Sequence, residues 1–120
     1  MYKRQLRNKA LFENIVGYQL GIGALYVNRV PTVFQGVNTF FGNVGTGLVV
    51  SDTGVHVAES SVMNFTGNFG RSGGAAAFFG SAWIVAHKNS TFNFVNNYGT
   101  LEGGAIYAVH FGEHLSLIHI

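Results

Sequence analysis

The chain has 120 residues, of which 48% are hydrophobic and only 10% charged, with 17 glycines, one proline and no cysteine. That hydrophobic content, with 11 phenylalanines, excludes a charge-rich disordered tail. The lack of cysteine excludes a disulfide-stapled miniprotein or a thiolate metal site, and the longest uncharged run, Val30 to Ser51, is too broken by Pro31, Gln35, Asn38, Asn43 and glycines to span a membrane as a helix.

In chain order, the first five residues, MYKRQ (Met1 to Gln5), resemble a translation of one strand of the transposase mosaic-end adapter used in DNA library preparation. The last six, LSLIHI (Leu115 to Ile120), resemble a translation of the other strand. Residues 1–5 and 115–120 are therefore expected to be adapter-derived, and residues 6–114 to be a native insert truncated on both sides. Within that insert Arg7, Lys9, Arg29, Arg71 and Lys88 are balanced by Glu13, Asp52, Glu59, Glu102 and Glu113, which leaves the sequence pI of about 9.2 largely to the ends. No basic cluster remains for a phosphate backbone, so no nucleic-acid partner is expected.

Four segments of the insert share a two-part pattern. The first is LFENIVGYQLGIGALYV (Leu11 to Val27) and the second VNTFFGNVGTGLVV (Val37 to Val50). The third is SVMNFTGNFGRSGGAAAF (Ser61 to Phe78) and the fourth STFNFVNNYGTLEGGAIYAV (Ser90 to Val109). Leu11, Phe40, Phe65 and Phe94 stand three residues before Asn14, Asn43, Asn68 and Asn97, at intervals of 29, 25 and 29 residues. A glycine step and a short apolar run follow in each. Such uneven spacing predicts repeated coils joined by loops of variable length. Alternation in Ser90-Thr91-Phe92-Asn93-Phe94 and Met63-Asn64-Phe65 predicts half-buried strands, and the apolar runs after the glycine step are short enough for strands too. No stretch keeps a helical period for three turns without glycine.

Two or three short strands per coil, turning on Gly and Asn corners, describe an all-β parallel β-solenoid of about four coils. Equivalent residues of successive coils then stack about 4.8 Å apart. Phe40, Phe65 and Phe94 are predicted to form an internal aromatic stack. Asn14, Asn43, Asn68 and Asn97 are predicted to occupy a corner where Asn tolerates a left-handed backbone and where amides bond along the column. Gly73-Gly74 and Gly103-Gly104 are predicted to form a second corner with no room for Cβ. A phosphate-cradling loop is a poor reading of these glycines, because no GxxxxGKS/T occurs and no helix follows.

FVNN (Phe94 to Asn97) with GGAI (Gly103 to Ile106) resembles the paired repeats FxxN and GGA-aliphatic of the polymorphic outer membrane protein passengers of chlamydiae and of other secreted right-handed β-helix proteins. FTGN (Phe65 to Asn68) and FFGN (Phe40 to Asn43) match the first motif, and GGAA (Gly73 to Ala76) all but the last position of the second. The resemblance covers most of Leu11 to Val109. It implies a right-handed parallel β-helix cut from a longer array, a handedness that parallel crossovers favour in general. It further implies a structural or adhesive segment of an extracellular or outer-membrane-surface passenger, without catalysis in this stretch. Its partners would be the neighbouring coils of the full-length chain, and a host surface protein or glycan.

Chemistry-bearing residues are sparse. Counted from the glycine step, His56, His87 and His110 fall in different registers, so no column of imidazoles is expected, and neither these nor His114 suggest a metal site. Asp52, Glu59, Glu102 and Glu113 also differ in phase, with Glu102 and Arg71 read as turn residues. A fragment of a β-helix polysaccharide lyase or glycoside hydrolase is the alternative function. No cofactor is implied. Asn64-Phe65-Thr66 and Asn89-Ser90-Thr91 are candidate N-glycosylation sites, with Asn64 predicted to point outward. Trp83 is read as a core residue or as packing between coils, in preference to an exposed sugar platform.

Overall fold

The computed structural model describes residues 8–13, 23–102, 104–109 and 116–119. Among them the structure is all-β, with parallel sheets and no closed barrel. The chain follows one circuit repeatedly. β1 (Asn8–Glu13), β2 (Gly23–Asn28) and β3 (Thr32–Phe34) are followed by β4 (Gly36–Phe41), β5 (Thr46–Ser51) and β6 (Gly54–Val57). The third circuit is β7 (Val62–Thr66), β8 (Phe69–Ser72), β9 (Ala76–Phe79) and β10 (Trp83–Ala86). The fourth is β11 (Thr91–Val95), β12 (Tyr98–Glu102), β13 (Ile106–Val109) and β14 (Ser116–His119).

Each strand pairs with its counterpart one circuit away, which gives sheets ordered β1-β4-β7-β11, β2-β5-β9-β13 and β3-β6-β10-β14, with a shorter β8-β12 pair extended by a bridge from Val44 to Phe69. All of these pairings are parallel. Ser116–His119, inside the stretch read as adapter-derived, pairs with β10; a short apolar segment satisfies an open strand edge whatever its origin.

Alternation decides what each strand buries. In β7, Met63 and Phe65 face inward while Val62, Asn64 and Thr66 are half-exposed. The core gathers inward side chains from three sheets, among them Phe34, Phe40, Leu48, Val50, Val55, Val57, Met63, Phe65, Phe78 and Ile84. The long apolar run Ala75 to Ala86 is split into β9 and β10 by a corner at Gly80, whose φ is +67°.

Two registers differ from the sequence alignment. After the glycine step Leu48, one residue past Gly47, pairs with Leu25 and Ala76, each two residues past Gly23 and Gly74. The other lies in β1. Phe12, and not Leu11, pairs with Phe40, while Leu11 pairs with Thr39. Leu11 and Phe12 are adjacent, so an alignment counted from Asn14 and one that matches aromatic with aromatic differ by a single residue. The parallel register takes the second. Asn14 itself lies outside the described residues.

Candidate functional site

Two columns and one outward cluster hold the distinctive side chains. In the aromatic column Phe40 and Phe65 stack with centroids 4.9 Å apart and planes 7° from parallel, and Phe65 and Phe94 with 5.2 Å and 6°. These distances are the strand separation of a sheet, so the rings repeat once per circuit. Phe40 and Phe65 are fully buried, whereas Phe94, on the last described circuit, is 38% exposed.

At the end of the same strands stands an amide ladder. Asn68 Oδ1 accepts from the Asn43 backbone N–H (3.1 Å) and from Asn43 Nδ2 (2.8 Å). Asn97 Oδ1 accepts in the same way from the Asn68 N–H (3.0 Å) and Nδ2 (2.9 Å). The amide nitrogens also donate back to the carbonyls of the preceding circuit, Asn68 Nδ2 to Phe40 (3.0 Å) and Asn97 Nδ2 to Phe65 (2.9 Å). A corner breaks the strand ladder and strands backbone polar groups; these side chains satisfy them. The left-handed backbone is not at these asparagines. It belongs to the residue just before each, Gly42 (φ +63°), Gly67 (φ +64°) and Asn96 (φ +54°). That position turns the chain, which leaves the following Asn free to point inward and bond.

The glycine corner is continuous as well. Gly47 N–H donates to the Gly74 carbonyl and Gly74 N–H to that of Gly104, at 3.1 and 2.9 Å. Gly73 is left-handed (φ +69°), and a Cβ on Gly74 would lie 2.5 Å from the Tyr98 nitrogen and 2.8 Å from the Asn68 oxygen. Gly104 has open space where its Cβ would be, so the expected crowding is absent there because Gly104 lies on the last circuit. Gly103 is outside the described residues.

The polar candidates separate. Arg71 is exposed on β8 and Glu102 ends β12, so both are strand residues and not turn residues. Asp52 sits at a left-handed corner (φ +53°), where its Oδ1 accepts the Ser81 N–H at 3.1 Å. Asn64 points outward as expected, within a second ladder: its Nδ2 donates to Thr39 Oγ1 (3.3 Å) and its Oδ1 accepts from Asn93 Nδ2 (2.8 Å). Asn89 is exposed at a left-handed turn (φ +62°). No group of three or more potential metal ligands occurs among the described residues.

The histidines correct the sequence reading. His56 Nδ1 and His87 Nε2 are 2.8 Å apart. His56 pairs in register with Val85, and His87 is the next residue on that side of the chain, two positions on. The two are diagonal neighbours on one outward face, close enough for rings to meet. Counting from the glycine step hid this: His56 is nine residues after Gly47 and His87 thirteen after Gly74, of which one residue is the offset that pairs Leu48 with Ala76, one the longer corner between β9 and β10, and two the diagonal step from Val85 to His87. Counting outward positions within each strand finds it. Trp83 completes the cluster, edge-to-face with His56 at 5.3 Å and 86°. Its indole lies over Gly54, where any Cβ would collide with the ring. Trp83 is thus no core residue: it packs between circuits on the outer face and is 37% exposed.

Comparison with protein-family models, curated proteins and solved structures finds no match.

Proposed function

We propose that the chain is a run of about four coils from a longer right-handed parallel β-solenoid, and that it serves as a structural and adhesive stretch of a secreted or surface-exposed passenger protein. The observation that carries this reading is the repetition of the circuit: each sheet takes its strands from successive circuits in chain order, and like residues stand on like. A scaffold of this kind extends by adding coils, so its product is length and surface. The outward side of the β4-β7-β11 sheet suits such a surface, carrying the neutral Thr39, Asn64 and Asn93 ladder beside exposed Val37 and Val95. The resemblance of FVNN and GGAI to surface passengers points the same way, and is an analogy of fold.

The test is recovery of the complete reading frame by long-read sequencing of the source DNA. A signal sequence, further FxxN and GGA repeats and a C-terminal translocator barrel are expected. A frame of ordinary enzyme length, with carboxylate and basic side chains along one groove of neighbouring coils, would replace this reading with polysaccharide cleavage.

A further inference from the structure

The His56–His87 contact has a geometry that points to a specific use. The ring centroids are 5.1 Å apart and the facing nitrogens 2.8 Å. The difference, 2.3 Å, is about twice the ~1.15 Å between an imidazole centre and its nitrogen. The two nitrogens therefore lie on the line joining the ring centres. With planes only 19° apart, the rings stand end to end, nearly coplanar, and the N–H of one points along the lone pair of the other. That is the best arrangement for a single shared proton. A metal bound to both rings at about 2.0 Å would need the nitrogens to part or the rings to tilt.

We propose that His56 and His87 form a proton-operated clasp between adjacent circuits, closed near neutral pH and sprung by acid. With no proton or one proton added, one nitrogen donates and the other accepts, and the bridge holds. The second proton puts N–H groups and positive charges on both sides of a 2.8 Å gap, and the bridge breaks. Burial first, and then the neighbouring His87, hold the His56 imidazolium below the ordinary histidine range. β3 offers Val33 at the register position of His56, and β10 offers Val85 and Trp83. Glu59 and Lys88 are exposed on the flanking turns, and β14 places Ile118 and His119 beside Val85 and Ala86. Opening removes the side-chain link between the circuits, while the backbone bonds from His87 N–H to the Val57 carbonyl and from Ser60 N–H to the Lys88 carbonyl, both 3.0 Å, still hold the turn in place.

Trp83 is the only tryptophan of the chain and touches His56, so it reports the event directly; an imidazolium beside an indole quenches it. The experiment is a titration of Trp83 emission on the full chain from pH 8 to 4, with far-UV circular dichroism alongside. A loss of emission below the ordinary histidine range is expected while the dichroism holds. His56→Gln should abolish it. His87→Gln, which removes the second charge but can still hydrogen-bond, should move the midpoint to higher pH. Three outcomes overturn the clasp: no pH response, a midpoint that His87→Gln leaves in place, or an emission loss that merely follows unfolding in wild type and His87→Gln alike.

Discussion

Replacing Asn68 by Asp changes one NH2 into one oxygen and leaves the shape almost untouched, yet Asn68 is completely buried. Its Oδ1 keeps its two donors from Asn43. Its Nδ2 donates at present to the Phe40 carbonyl at 3.0 Å and to Asn97 Oδ1 at 2.9 Å. In Asn68→Asp both become contacts between oxygens, and a carboxylate is buried among the neutral groups that bond the amide now. Each buried hydrogen bond turned into an oxygen–oxygen contact costs about 1–3 kcal/mol, and the charge adds to that unless it is neutralised. The expected loss at pH 7 is about 3–5 kcal/mol, a large part of the roughly 5–15 kcal/mol that holds a typical domain.

The pH dependence has a defined sign. Burial raises the folded-state pKa of this carboxyl above its unfolded value, so the folded state holds its proton more tightly. Relative stability is then highest below the unfolded carboxyl range and falls as pH rises through the folded pKa. The protonated acid can also donate one of the two lost bonds. Urea unfolding followed by circular dichroism, for wild type and variant at pH 7 and pH 4, measures this. A variant within about 0.5 kcal/mol of wild type, or a deficit that grows on acidification, would refute the reasoning.

Phe65→Ala should cost about 3–5 kcal/mol, because its ring is buried between two others, whereas Phe94→Ala should cost about 1–2 kcal/mol, because that ring is part-exposed; equal losses would contradict the stacked column. Gly74→Ala should cost about 3 kcal/mol, since the obstructing atoms are backbone. Gly67→Ala meets open space and should cost only about 1 kcal/mol for its left-handed φ; thermal melts of the pair give the order. On secretion from a eukaryotic host, Asn89 should be glycosylated and Asn64, whose amide is held between Thr39 and Asn93, should not. Endoglycosidase mobility shifts of Asn89→Gln and Asn64→Gln check this, and a shift lost only with Asn64 would reverse it.

The strands, their parallel stacking and the two internal columns were legible in the sequence because each rests on local patterning. Alternation in Met63-Asn64-Phe65 states which side is buried, and a repeated FxxN states which residues stack. The alignment failed where two like residues were adjacent, at Leu11 and Phe12, and by one residue after Gly47, where Leu48 pairs with Leu25 and Ala76. It also attributed the left-handed corner to the asparagines. Gly42 and Gly67 were within the motif, but nothing in the motif says whether the turn falls on its third or fourth residue. The bonds of the Asn68 amide decide that.

The outward cluster of His56, His87, Trp83 and Gly54 was decided by the tertiary structure alone. Inward positions are constrained in every circuit by the same narrow core, so they repeat visibly. Outward positions meet no such constraint, and their neighbours depend on how many residues each corner consumes. An offset of one residue at the glycine step, one extra residue between β9 and β10 and the two-residue diagonal from Val85 move His87 out of step in sequence, while the sheet still brings it to His56 in space. Composition and periodicity thus determined an all-β chain with stacked Phe and Asn. The strand register and corner lengths, set only in the folded chain, determined that two imidazoles share a hydrogen bond.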